Sequence, residues 1–263
     1  MSIKGVILQP IVEECPYIAN MISISENFVA KEIDVPDMEN LLKFGFRHFG
    51  EAFFRPMCSH CMNCVSIRIP VQSFTPSPSI RRLFKRAQTL TVTLEDPNPS
   101  QEAYDLYNIH KMRFARQIHS SYENFVKSFF HPYSFSKILT IKDGPRLIGI
   151  SHLDITENTM SAVYCYYDTQ YYKFSPGKLA IYKEIELAKQ MGIAWLYLGF
   201  YVPGNKHTAY KIDIVPNQLM LPNGQWMDYK DNDGKIINEY PFPTPRQIGI
   251  SIETESHPPH PEA

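Results

Sequence analysis

Between Ser100 and Phe200 the apolar residues change period in a fixed order, and that order restricts the fold more than any composition figure. Residues 100–117 repeat at helical spacing, with Tyr104, Tyr107 and Met112 on one side, and 122–130 repeat that way again. Ile138–Ile141, Leu147–Ile155 and Met160–Tyr167 alternate instead, divided by the turn dipeptides Asp143-Gly144 and Glu157-Asn158. A helix follows from about Gly177 to Met191, burying Leu179, Tyr182, Ile185 and Ala188, with Gly192 as its stop. Ile193–Phe200 is a strand apolar enough to be central.

Two helices, a meander, a helix and a strand predict an α/β unit with a mixed sheet, the element order of a GNAT-like acyltransferase. In CoA-dependent acetyltransferases the turn into the last helix binds pyrophosphate and reads [R/Q]-x-x-G-x-[G/A]. Here Phe174 and Leu179 hold the outer positions, which disfavours CoA as donor. The turn Ser175-Pro176-Gly177 still offers backbone N–H groups to another anion or an acyl carbonyl. An ordinary helix start is the blander account of those three residues. Tyr164 and Tyr166 share one strand face, and Tyr167 and Asp168 close the strand, where a phenol or carboxylate can pass protons; core tyrosines are the alternative. His110, His119, His152 and His207 show no ligand spacing.

Upstream, residues 3–12 suggest an edge strand or arm, and 21–34 a strand. Pro36-Asp37 opens a helix ended by Gly45. Val65–Phe74 alternates with Pro70 inside it, which predicts an edge strand. Thr75–Ser79 is a turn and cap before a short basic helix from Ile80 to Ala87, and Thr89–Leu94 is a strand. Asp96-Pro-Asn-Pro-Ser100 is the expected boundary. The expected division is therefore an N-terminal cysteine-containing and basic domain at 1–95, a transferase domain at 100–230 and a polar, Pro-rich tail at 231–263.

Cys58, Cys61 and Cys64 stand two residues apart, and Cys15 lies upstream. That spacing turns thiolates toward one soft ion, and zinc or an iron–sulfur cluster fits equally well. Reduced cysteines without an ion are the alternative, and Cys165 alone in a strand reads as core. No acid falls between Glu51 and Glu95, whereas Arg55, Arg68, Arg81, Arg82, Lys85 and Arg86 all do. Arg81, Arg82, Lys85 and Arg86 lie at helical spacing and suit an RNA backbone, against the blander account of a solvated charged face. Formal charge over 263 residues is −1, so any such surface is local. The 44% hydrophobic content supports a large core without any run long enough for a membrane span. The N-terminus does not read as a signal peptide, and five cysteines, odd in number with three tightly clustered, point to the cytoplasm.

These residues resemble the aminoacyl-tRNA–protein transferases of the N-degron pathway, and among them the bacterial aspartate/glutamate leucyltransferases, over about 12–226. Cys15-x-Tyr17 matches the family's C-x-Y, and Gly45-Phe46-Arg47 with Gly50 its G-F-R-R-S-G. Arg55-Pro56, Cys58, Cys61, Cys64, Arg68 and Val71 match R-P-x-C-x-x-C-x-x-C-x-x-x-R-x-x-V, and Ser79 with Arg81-Arg82 matches S-x-R-R. Asp154, Ser161–Tyr164, Ser175 with Gly177, Tyr197–Gly199, Tyr210-Lys211, Pro216 and Trp226 match the later motifs. The departures are His48-Phe49 for Arg-Ser, Pro176 for Leu and Phe200 for Tyr.

The resemblance implies transfer of leucine from leucyl-tRNA to the α-amine of proteins beginning with Asp or Glu, which creates a degradation signal. Charged tRNA and acidic-ended proteins are then the partners, without ATP, CoA or a membrane. Tyr164, Tyr167, Asp168, Ser175, Gly177 and Lys211 are the catalytic candidates. Arg47, Arg55 and Arg68 would face the acidic acceptor, and Arg81, Arg82, Lys85 and Arg86 the tRNA. Arginine as cargo, a metal-dependent tRNA-binding module without catalysis, and an acyltransferase with a small donor are the alternatives.

Overall fold

The computed structural model describes residues 3–113 and 121–242. Its elements run β1 (Lys4–Ile7), β2 (Ile11–Glu14), β3 (Ile22–Glu32), α1 (Val35–Lys43), β4 (Arg47–Phe49), β5 (Ala52–Pro56), β6 (Val65–Pro70), α2 (Pro78–Arg86) and β7 (Leu90–Glu95). Then come α3 (Gln101–Lys111), α4 (Tyr122–Phe129), β8 (Ser136–Asp143), β9 (Arg146–Ile155), β10 (Thr159–Tyr167), α5 (Pro176–Gln190), β11 (Trp195–Tyr201), β12 (Asn217–Met220) and β13 (Trp226–Lys230). The expected end of α3 at 114–117 and the Pro-rich residues from 243 lie outside the described residues.

A five-stranded antiparallel sheet forms first, in the order β1-β3-β5-β4, with β2 sharing the β3 edge used by β1. Both of those strands are exposed along their length, as an arm would be. The second sheet has eight strands in the order β13-β12-β6-β11-β10-β9-β8-β7. Only its β10–β11 pair is parallel, and α5 makes the crossover between them. The result is the expected α/β, GNAT-like architecture with a mixed sheet, preceded by a cysteine-containing N-terminal sheet.

Helix ends follow their local chemistry. Asp34 accepts from Asp37 N–H at 2.8 Å to cap α1, and Ser77 and Ser100 cap α2 and α3 in the same way. α5 buries Leu179, Ile185 and Ala188 fully, beneath a core that also contains Ile67, Ile69, Met160 and Leu196. A second cluster, with Met38, Leu42, Phe53, Phe135 and Tyr197, joins the two sheets.

Three expectations change. β6 is an interior strand, hydrogen-bonded to β11 on one side and β12 on the other. Pro70 is tolerated because it is the last residue of β6, opposite Trp195 at the start of β11, and Val71 N–H then donates to Ala194 O at 3.0 Å. The segment 96–100 does not separate one sheet from the other, since β6 and β7 belong to the same sheet as β8–β13. Residues 231–242 are packed against the body: Tyr240 donates to Met220 O at 2.8 Å, and Phe242 lies against Tyr229 and Tyr201.

Candidate active site

β10 and β11 pair only from Thr159↔Trp195 to Ser161↔Tyr197. A bulge then falls between Ala162 and Tyr164 on β10, and another between Tyr197 and Gly199 on β11. The strands splay, and carbonyls that a ladder would have satisfied need other donors. Two cations supply them. Arg47 Nη2 donates to Ala162 O at 2.5 Å, and Lys211 Nζ donates to Phe200 O at 3.1 Å. Gly199 holds φ +81° at the bulge, and Arg47 Nε and Lys211 Nζ each lie 3.5 Å from where its Cβ would stand. The angle is what calls for glycine, since a Cβ there would make only ordinary contacts.

The splay opens a cleft of about 640 Å³. Arg47, His48 and Phe49 of β4 form one wall, with Ala162–Cys165 and Tyr167 of β10 beside them. The opposite wall is the start of α5 from Ser175 to Lys178, then Ile181 and Glu184. Leu198–Phe200, Lys206, His207, Tyr210 and Lys211 complete it, with Arg113 and Tyr172 at the rim. Ser175 adopts the left-handed conformation at φ 48° and gives α5 no side-chain cap, so the first N–H groups of the helix are left for a ligand. A Cβ at Gly177 would stand 3.0 Å from Tyr167 Cε1, so glycine lets the helix start approach that ring. Arg113 Nη1 donates to the Tyr167 hydroxyl at 2.5 Å and fixes it at the rim.

Burial sets the electrostatics. Lys211 is pushed down to about 7, by burial first and by the Arg47 charge second, so near neutrality it can hold or release a proton. Arg47 is lowered only to about 10 and stays charged, and its Nη1 has no partner among the described residues. Burial pushes Glu184 up to about 7 and raises Tyr164 and Tyr210 well above the usual phenol range. His48 occupies the place of the family's second arginine. Its Nε2 meets Asp154 Oδ2 at 2.9 Å and its Nδ1 meets Gly50 O at 2.9 Å; burial acts to lower its pKa, and the Asp154 charge and hydrogen bond together with the Gly50 carbonyl raise it on balance.

Of the expected site residues, Arg47, Tyr164, Tyr167, Ser175, Gly177 and Lys211 line this cleft. Asp168 does not. It is buried behind the strand end, accepting from Arg146 at 2.7 Å and from Gln170 N–H at 2.9 Å. Arg55 lies away from the cleft, paired with Glu26 at 2.5 Å and stacked on Phe46. Arg68 is sandwiched between Trp195 at 3.7 Å and Trp226 at 4.2 Å and donates to Gln218 and Tyr197. Arg81, Arg82, Lys85 and Arg86 are exposed on α2, whose buried face is Ile80 and Leu83. α2 packs beside α5, with Lys183 Nζ 4.5 Å from the Phe84 ring. The four N-terminal cysteines share a neighbourhood: burial, then Cys15, Cys58 and Cys61, push the Cys64 thiol up to about 12. Cys58 Sγ accepts from Ile24 N–H at 3.2 Å, and among the described residues no three His, Cys, Asp or Glu side chains converge on a metal position.

Glu184 and Arg113 line the cleft without being singled out in the sequence, and Tyr210, there only a motif position, lines it too. For Glu184 the signal was present, since Gly177, Ile181 and Glu184 repeat at helical spacing and place an acid on an otherwise apolar stripe.

Comparison with known proteins converges on one family. The model for the N terminus of arginine-tRNA-protein transferase matches residues 13–82, and that for its C terminus matches 102–221. An aspartate/glutamate leucyltransferase of Campylobacter jejuni is 32% identical over 218 residues, covering 79% of this chain and 90% of that one. One of Acinetobacter baumannii is 34% identical over 202 residues, covering 74% and 73%. Among solved structures, FemX is similar at a TM-score of 0.44 and 10% identity over 70% of this chain and 64% of that one. L-PGS of Bacillus licheniformis is similar at 0.43 and 17% over 66% and 53%. Among the described residues no helix is long and apolar enough to cross a membrane. With both halves of the family matched and the splayed cleft lying where its motifs meet, the chain belongs to the arginine-tRNA-protein transferase family and is an aminoacyl-tRNA–protein transferase, acting on a tRNA and a protein.

Proposed function

We propose that this chain moves leucine from leucyl-tRNA to proteins beginning with Asp or Glu, in the cytoplasm, and so marks them for degradation. The relatives' names support the cargo and the acceptor. The observation that carries the acceptor is Arg47, a buried guanidinium with Nη1 unpartnered on the cleft wall beside Lys211. A carboxylate side chain of the incoming N-terminal residue completes that guanidinium. The acceptor's α-amine then lies near Lys211, whose neutral form takes the proton the amine must lose.

The amine attacks the ester carbonyl, the C–N bond forms, and the C–O bond to the terminal ribose breaks. The uncapped N–H groups at the start of α5 face the developing oxyanion. Protonated Lys211 returns a proton toward the leaving ribose oxygen. The ester is already activated, so no nucleotide is consumed. The exposed cations of α2, beside α5, suit the tRNA backbone.

Cys15, Cys58, Cys61 and Cys64 are the donor type that a soft ion takes, zinc or an iron–sulfur cluster, and they share a neighbourhood, although the described side chains do not converge on one metal position. Such an ion would tie the chain before β3 to the β5–β6 connection and serve structure. Transfer from leucyl-tRNA and arginyl-tRNA to reporters beginning with Asp, Glu, Lys or Arg tests the proposal. Leucine on the Asp and Glu reporters alone is expected, and no transfer to any reporter overturns it.

A further inference from the structure

Glu184 is the least explained group in the cleft. It is fully buried on α5, and neither carboxylate oxygen has a hydrogen-bond partner among the described residues. Ser151 on β9, also buried, lines the same cleft with its hydroxyl unpartnered. That hydroxyl is near enough to Glu184 to offset a little of the burial that raises it. An unmet buried polar group costs about 1–3 kcal/mol, and a charged one more. Native chains keep few such groups, and those that persist serve catalysis, store strain or are met by a water, an ion or a ligand.

Of the five lysines and arginines that line the cleft none is hydrogen-bonded to Glu184 among the described residues, and three already serve other groups. Arg47 serves Ala162 O, Lys211 serves Phe200 O, and Arg113 serves the Tyr167 hydroxyl. A partner that enters with the substrate completes the pair, and a carboxylate beside a hydroxyl selects a protonated nitrogen. Its depth fits the donor. Gly177, Ile181 and Glu184 descend one stripe of α5, so Glu184 lies about 10 Å below the helix start that faces the ester.

We propose that Glu184 and Ser151 form a socket for a protonated nitrogen of the donor aminoacyl group. Two sources present that chemistry: the α-ammonium of any aminoacyl ester, and the side-chain guanidinium of an arginyl ester. The inference rests on the cleft being the aminoacyl-transfer site. A cation seated there restores the ionised form of a carboxyl that burial otherwise pushes up to about 7.

Adenosine 3′-amides bearing leucyl, arginyl or N-acetyl-leucyl groups are stable probes of the socket. Their affinities for the full chain, wild type, Glu184→Gln and Ser151→Ala, are measured by calorimetry up to millimolar concentration. A tenfold or greater loss on Glu184→Gln for the leucyl and arginyl amides, but not the N-acetyl one, supports the socket and assigns the α-ammonium. Loss for the arginyl amide alone supports it and assigns the guanidinium. Ser151→Ala follows the same pattern with a loss of about threefold, and decides the matter if Glu184→Gln does not unfold cooperatively. Affinities within twofold of wild type for every probe in both variants overturn the proposal, as does absence of binding to the wild type. A wild type that binds the amides but transfers neither cargo from charged tRNA would sink the transfer assignment and leave the socket standing.

Discussion

Replacing Arg47 by Met removes the cation that meets the open Ala162 carbonyl of β10, with three consequences of different size. The hydrogen bond to Ala162 O is lost, which leaves a buried carbonyl unmet and lowers stability by about 1–3 kcal/mol. The charge-assisted contact to an acidic N-terminal side chain is lost as well. At about 1.5–3 kcal/mol this lowers kcat/KM for Asp and Glu reporters roughly 10- to 150-fold. Reporters beginning with Asn or Gln, lacking the carboxylate, should lose far less.

The third consequence concerns Lys211. Its Nζ and Arg47 Nε lie within about 7 Å of each other, since each is 3.5 Å from the position of a Gly199 Cβ. Coulomb repulsion at that separation is about 2 kcal/mol for an effective dielectric near 20, or roughly 1.5 pH units. Arg47 disfavours the protonated lysine, so removing it raises the Lys211 pKa from about 7 and leaves less free amine at neutrality. The acid limb of kcat should move upward by that amount in Arg47→Met and stay in place in Arg47→Lys. The measurement is a pH series of transfer rates on Asp and Asn reporters, after confirming cooperative unfolding. An unmoved acid limb together with unchanged Asp-over-Asn preference in Arg47→Met refutes both the base and the acceptor contact.

Gly50→Ala should be lost to the insoluble fraction or unfold several degrees earlier. Gly50 has φ +54°, and its Cβ would stand 2.1 Å from Lys127 O, a combined cost of at least about 3 kcal/mol; a thermal scan matching wild type contradicts this. Arg82→Ala should weaken tRNA binding and reduce the slope of log affinity against log salt by about 1, and an unaltered slope removes α2 from the RNA surface. For Cys61→Ser, elemental analysis should show loss of zinc or iron together with a lower unfolding temperature. Equal metal content in variant and wild type, or none in either, would mean those cysteines hold no ion.

Local chemistry made much of the fold legible. Pro36-Asp37, the Thr75–Ser79 cap and Ser100 announce helix starts, Gly192 announces a stop, and alternation between turn dipeptides marks β8 to β10, although β9 is buried on both faces. What sequence could not convey was which distant elements would share a wall. Arg47 and Lys211 meet only because two bulges open the β10–β11 pair; the one in β11 shows in the sequence as the lone Gly199, and the one in β10 has no sequence signature. Arg55 and Arg68 read as free cations, yet an arginine stacked on Phe46 or between two tryptophans has the same letters as one facing a substrate. Pro70 pointed to an edge because the rule concerns a missing donor, and the last residue of an interior strand does not need one.

The interior position of β6 bears on synthesis. Every strand of the first sheet lies within the first 56 residues, so that sheet can close early. β6 follows at once, yet its neighbours β11 and β12 begin at Trp195 and Asn217. Throughout that interval Val65, Ile67 and Ile69 emerge as an apolar strand with both flanks bare, the condition that recruits chaperones and makes premature termination products aggregate. A truncation ending near residue 95 should therefore be insoluble alone and recover when the remainder is co-expressed.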